Sequence, residues 1–346
     1  MFNFRAPTKH VILGPLLLTP WLLASCSKDD DKEDPKATPL PDTIQYTREG
    51  LYPEGFAFDD KNRRFLVSSV TESIVFSVSE TGEVTPFIED DRIANSTGIT
   101  VDAENNRILV SAGNVGTNLS KLQDPEQPLF QTNTLGVYNL SNGERIAWYS
   151  FSKVEGYSGS SLFGSEPVSG PDGSIYVTDS FQPVIFKVDP KGNMSVLIKN
   201  ELFRPAPYKF GLNPMVYHPD GYLLVAKSDD GTLWKIPVDA PESFTKVQVE
   251  ALTNADGMVL QGNNQLVLAM GTDDKVIRIQ STDAWKTATK NGEQATAKGV
   301  RPTAVNAAGD EIFYLESYLT KVLPVSAGGL NDRTHKDWAL QKVKFQ

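Results

Sequence analysis

The residue types that carry most enzyme chemistry are scarce in this chain. It contains one cysteine, Cys26, and three histidines, His10, His218 and His335. A single cysteine excludes an intramolecular disulfide and a thiolate zinc cluster. If the Cys26 sulfur is modified, the mature chain has no free thiol, and cysteine catalysis is excluded too. A histidine metal cluster and a Ser-His-Asp triad are equally unsupported, because His218 falls in a turn and His335 near the C-terminus, where both read as surface residues. No Gly-rich phosphate loop leads from a strand into a helix. Aromatic residues such as Trp234 and Tyr176 read as packing rather than ligand stacking. The formal net charge is −10 over 346 residues. That acidity argues against a nucleic-acid partner, which needs clustered Lys and Arg. It is compatible with a small neutral ligand, a cation, or no ligand.

Residues 1–25 hold Arg5 and Lys9 and no acid, followed by an apolar stretch from Val11 to Leu18 and again at Trp21-Leu22-Leu23. A positive start, an apolar middle too short and Pro-broken to span a bilayer, and small residues at the end describe a secretory signal. Leu23-Ala24-Ser25-Cys26 resembles the lipobox of bacterial lipoproteins. The resemblance implies cleavage before Cys26, acylation of its thiol, and attachment to a membrane through lipid alone. Removing Arg5 and Lys9 with the signal leaves the mature chain at −12. Residues 26–41 are charged and proline-rich with little to bury, and read as a disordered tether. Their acidic run, Asp29-Asp30-Asp31, either resembles a lipoprotein surface-export signal or is only a soluble spacer. The expected location is the outer membrane and cell surface.

The remaining part, 42–346, repeats. Six three-residue apolar cores recur: Phe65-Leu66-Val67, Ile108-Leu109-Val110, Ile175-Tyr176-Val177, Leu223-Leu224-Val225, Leu266-Val267-Leu268 and Ile312-Phe313-Tyr314. Their successive spacings are 43, 67, 48, 43 and 46 residues. Four of the five match a propeller blade of roughly 40–50 residues. The long interval holds two aperiodic stretches, 113–134 and 155–164, read as loop insertions that could bind a ligand or cover one.

Turns within the repeats are legible. Asp189-Pro190-Lys191-Gly192 joins two apolar runs, and Glu80-Thr81-Gly82 and Ser141-Asn142-Gly143 do the same, a hairpin signal in each case. Pro171-Asp172-Gly173 and Pro219-Asp220-Gly221 precede two of the cores. Each repeat therefore supplies about four antiparallel strands, and six such sheets bury their faces only against one another. The fold class is all-β: a six-bladed β-propeller with a central tunnel, read as a monomeric domain. The last blade must be completed by the region of Ile44-Gln45-Tyr46 or by Trp338 to Phe345, and the sequence leaves this open.

Several segments at blade spacing resemble the SMP-30/gluconolactonase family: Tyr52-Pro53-Glu54-Gly55-Phe56, Ile175-Tyr176-Val177-Thr178-Asp179-Ser180, Gly211-Leu212-Asn213-Pro214-Met215 and Asn254-Ala255-Asp256-Gly257-Met258. The likeness spans nearly all of 42–346. It implies a divalent cation at one mouth of the tunnel, held by Glu54, Asn213 and Asp256, with Asp256 also the general base toward water. Oxygen donors of that kind suit Ca²⁺, Mg²⁺ or Mn²⁺. Hydrolysis of a lactone needs its developing oxyanion stabilised and a water activated. The chain departs from the family in blade 3, where Ser165-Glu166-Pro167 replaces an Asn-Asp pair. Glu166 either restores the missing polar group or marks the loss of lactonase activity. The family's substrate-contacting arginine has no match at Leu162-Phe163-Gly164.

Two functions therefore compete. One is a metal-dependent hydrolase of a lactone or similar ester, with a small lactone or carbohydrate-like molecule as its ligand. The other is a non-catalytic surface propeller that captures a carbohydrate, peptide or protein.

Overall fold

A computed structural model describes residues 38–345 apart from 156, 158, 160 and 324–328. The segment read as a signal, Cys26, and the tether up to residue 37 lie outside the described residues. Leu40, placed in the tether by its neighbours, is buried in the propeller's first core cluster.

Each apolar triplet is the second strand of a four-stranded antiparallel sheet, and the six sheets follow one another around a ring. Their innermost strands are Phe56–Asp59, Asn95–Asp102, Leu162–Ser169, Leu212–His218, Ala255–Gln261 and Val305–Ala308 for blades 1 to 6. Second strands are apolar throughout because a neighbouring blade covers each face. Phe65, Leu66 and Val67 are all fully buried, whereas the outer strand Thr289–Ala295 has no buried residue. Faces covered on both sides favour continuous apolar runs over alternation.

Both ends of the chain complete blade 6. Asp337–Lys342 is its third strand, and Thr43–Thr47 pairs outside it with Ile44 opposite Leu340 and Tyr46 opposite Trp338. The indole of Trp338 donates to the Arg48 carbonyl at 2.8 Å. Ring closure is thus a ladder of backbone bonds between the first and last strands, packed over Phe65 and Phe313.

Polar clasps join adjacent blades at the far ends of their innermost strands. Asp59 and Asp102, almost fully buried, end the innermost strands of blades 1 and 2. Each binds an arginine of the next strand, Arg64 at 2.9 Å and Arg107 at 2.7 Å. The arginines reach onward to the following blade, Arg64 to the Leu140 carbonyl at 2.8 Å and Arg107 to the Gly173 carbonyl at 2.7 Å. His218 does the same from blade 4, with Nε2 2.8 Å from the Asn263 carbonyl and its ring stacked on Tyr222. His218 is therefore buried, not the surface residue its turn-like context predicts. His335 is likewise packed, against Tyr52, Tyr318 and Trp338, with Nδ1 taking a bond from Lys321 at 2.8 Å.

The long second interval is a true insertion between the second and third strands of blade 2. It is structured by buried amides: Asn114 Nδ2 donates to the Lys121 and Gln127 carbonyls at 3.0 and 2.6 Å, and Asn118 Nδ2 to the Ala94 carbonyl at 2.8 Å. Its end, Gln131–Thr132, adds a short parallel strand beside blade 3. Residues 162–164, read as the end of a second loop, begin the innermost strand of blade 3 instead.

Candidate functional site

The residues singled out in the sequence come from equivalent steps of the ring, at or just before the starts of innermost strands. Glu54 precedes blade 1, Asn213 and Asp256 are second in the strands of blades 4 and 5, and Ser165 and Glu166 lie within that of blade 3. A local feature aims them. Each of these strands in blades 2 to 5 carries one extra residue against its partner: between Ser96 and Gly98, Gly164 and Pro167, Leu212 and Met215, and Ala255 and Gly257. A bulge bends the strand and redirects the side chain it holds. The residues at these bulges are Thr97, Ser165 with Glu166, Asn213 and Asp256.

Three of them form a chain across three blades. Ser165 Oγ donates to Asn213 Oδ1, and Asn213 Nδ2 donates to Asp256 Oδ1 at 2.9 Å. Thr97 joins from blade 2, its hydroxyl 2.9 Å from the Gly164 carbonyl. The strands approach so closely that a Cβ on Gly98 would stand 2.6 Å from Glu166 Cα, and one on Gly271 2.9 Å from Asp256 Oδ2. The Thr178-Asp179-Ser180 segment frames this rim without entering it. Buried Asp179 accepts from the Phe163, Phe181 and Gln182 amides at 3.2, 3.0 and 3.1 Å, and Ser180 Oγ donates to the Leu212 carbonyl at 2.9 Å.

Three half-buried carboxyl groups, Glu54, Glu166 and Asp256, share the mouth. Burial raises the Glu54 pKa well above the carboxylate range, and the charges of Asp256 and Glu166 raise it further while Arg301 opposes them. Glu166 is pushed up to about 8, first by burial and then by Asp256, against a bond from the Met258 amide. Asp256 is raised by burial and held back by Arg301 and by the Asn213 amide. Desolvation and like charges in one cluster both act against ionisation of these acids. Perturbed acids clustered in this way mark candidate function.

Arg301 is the member that sequence reading missed. It stands two residues before Thr303, whose hydroxyl donates to the Glu54 carbonyl at 2.6 Å. The available signal was positional: Arg301-Pro302-Thr303 precedes the innermost strand of blade 6 as Pro53-Glu54-Gly55 precedes that of blade 1.

The donor chemistry of Glu54, Asn213 and Asp256 is all oxygen and fits a hard divalent cation. Among the described residues, however, no three His, Cys, Asp or Glu side chains are grouped to hold a metal ion. A cation at this mouth would therefore depend on the Asn213 amide as well as on carboxylates. Asn213 Oδ1 already accepts from Ser165.

No family model matches the sequence, and no curated protein matches it. Solved structures do match in fold. The major allergen Mala s 1 of Malassezia sympodialis superposes with a TM-score of 0.67 at 17% identity, over 88% of this chain and 97% of that one. A gluconolactonase from Xanthomonas campestris gives 0.57 at 14%, over 88% and 91%. Virginiamycin B lyase from Staphylococcus aureus gives 0.53 at 12%, over 87% and 100%. At these identities the likeness is one of architecture alone: the six-bladed propeller of this chain superposes on these proteins without showing a shared activity.

Proposed function

We propose that this propeller is a hydrolase acting on a small lactone or similar ester at the tunnel mouth. The observation that carries the reading is the convergence of Glu54, Glu166 and Asp256 with the Ser165–Asn213–Asp256 hydrogen-bond chain, each member aimed by its own bulge or strand start. In this reading Glu54, Asn213 and Asp256 hold a divalent cation, whose contribution when bound is to polarise the substrate carbonyl. Asp256 takes the proton from the attacking water. Its Oδ1 is fixed by Asn213, and a Cβ at position 271 would stand 2.9 Å from its Oδ2, so Gly271 leaves that oxygen room. A carboxylate raised above its ordinary pKa is a stronger base toward water than a surface aspartate. The fold shared with a gluconolactonase supports this at the level of architecture.

One observation favours a second reading, a binding propeller without catalysis. Ser165 occupies the Asn213 amide oxygen, the atom that a cation would need. The test is metal analysis after dialysis, joined to hydrolysis of a lactone panel by the wild type and by Asp256→Ala. The hydrolase reading expects a retained divalent ion and activity lost in the variant. No ion and no hydrolysis across the panel would sink it.

We further propose that the chain is exported and held to the outer membrane by lipid on Cys26. Support comes from Leu23-Ala24-Ser25-Cys26 alone. Mass spectrometry of the mature N-terminus checks it: an unmodified Cys26, or cleavage elsewhere, refutes the anchor.

A further inference from the structure

Arg301 lies between the two acids that flank blade 6. The backbone there adopts a left-handed conformation, φ 51°, which strains a non-glycine residue. It is pinned on both sides of its Cα: the amide donates to Asp274 Oδ1 at 2.8 Å and the carbonyl accepts from Ser317 Oγ at 2.6 Å. On one flank Thr303 binds the Glu54 carbonyl. On the other, blade 5 packs so tightly that a Cβ on Gly257 would meet the Thr303 carbonyl oxygen and Ala304 Cα at 2.6 Å. The Arg301 charge reaches both Glu54 and Asp256.

Its guanidinium nevertheless has no hydrogen bond and no ion pair among the described residues, and Nε is buried without a partner. By contrast, Arg64, Arg107 and Arg145 each pair with a carboxylate within 3 Å. A buried, unsatisfied donor carries a desolvation cost. Here it sits on a strained and doubly anchored turn beside the polar mouth. A planar guanidinium fork matches a carboxylate in two parallel bonds.

We propose that Arg301 is the specificity-determining residue of this mouth and anchors the carboxylate of a small hydroxylated organic acid. Glu54 and Asp256, the two acids its charge reaches, are oxygen acceptors for the hydroxyls of such a ligand. The inference rests on reading the mouth as a ligand site, and it does not require hydrolysis.

The experiment is calorimetric titration of gluconate, and of glucitol, in which CH₂OH replaces the carboxylate, into the wild type and Arg301→Gln. Gluconate should bind at least about tenfold more tightly than glucitol, and the variant should lose that advantage with glucitol binding unchanged. Equal binding of the two probes, no gluconate binding, or an unchanged gluconate affinity in Arg301→Gln overturns the proposal. A measurement on the wild type removes dependence on the variant's folding. Phenylglyoxal modification of the Arg301 peptide, mapped by mass spectrometry, should be slowed by gluconate and not by glucitol, and absence of that protection also overturns it. The two readings fail separately. Gluconate held through Arg301 without any lactone hydrolysis sinks the hydrolase and leaves the anchor. Hydrolysis with gluconate affinity unmoved in Arg301→Gln does the reverse.

Discussion

Replacing Glu166 by glutamine tests the electrostatics of the mouth without changing its shape. Glutamine keeps a side-chain acceptor for the Met258 amide and cannot ionise. In the unfolded chain Glu166 titrates near 4.5, and in the native protein near 8. Between those values the native state retains a proton that the unfolded state has released. Stability therefore falls as pH rises through this window and levels off above the folded value. The gap is about 3.5 pH units, and at about 1.4 kcal/mol per unit the ceiling is roughly 5 kcal/mol. The side chain is only half-buried, and solvent screening lowers the expected effect to about 2–3 kcal/mol. Glu166→Gln should match the wild type at pH 4.5 and exceed it by that amount at pH 8.5. Urea denaturation at pH 4.5, 6.5 and 8.5 in the presence of chelator measures it. A difference that does not grow with pH would show that Glu166 is ionised in the native protein and would refute the desolvation argument. The same titration with added Ca²⁺ should stabilise the wild type if the mouth takes a cation, since a ligand bound only by the native state adds to its stability.

Three further outcomes follow from the packing. Gly98→Ala sets a methyl 2.6 Å from Glu166 Cα and 2.9 Å from its nitrogen, backbone atoms that cannot step aside; a loss of about 1–3 kcal/mol in urea denaturation is expected, and a melting point equal to the wild type would contradict the spacing of blades 2 and 3. Arg107→Ala leaves Asp102 buried without its charge partner and breaks the clasp onto Gly173; about 2–4 kcal/mol should be lost, and in a double-mutant cycle Asp102→Ala should then cost less than it does alone. Deleting residues up to 47 removes the outer strand of blade 6, exposing Ile44's partner Leu340 and an unpaired strand edge; lowered melting temperature and concentration-dependent association are expected, and an unchanged monomer would mean that the ring closes without Thr43–Thr47.

Most of the architecture was legible in the sequence because a propeller writes its period into it. A second strand covered on both faces must be apolar at every position, so Phe65-Leu66-Val67 and its five counterparts stand out without any alternation to decode. Hairpin turns at Gly82, Gly143 and Gly192 need left-handed backbone, with φ of 84°, 75° and 87°, and glycine marks them. The oversized second interval was visible for the same reason, as a break in an otherwise regular count.

What the sequence could not contain were relations between distant segments. Closure of blade 6 joins Thr43–Thr47 to Asp337–Lys342 across nearly the whole chain, and no local pattern shows which end pairs with which. His218 looks like part of an exposed His-Pro-Asp-Gly turn, yet the next blade buries it and takes its bond. The same holds at the mouth. Glu54, Asn213, Asp256, Ser165 and Glu166 could be named from motifs, but the meeting of the last four depends on three bulges, each an extra residue that exists only relative to a partner strand. Arg301 carries no motif at all. Its significance is that it stands unpaired between Glu54 and Asp256, and only the ring, by bringing blade 5 and blade 1 to either side of blade 6, puts those acids beside it.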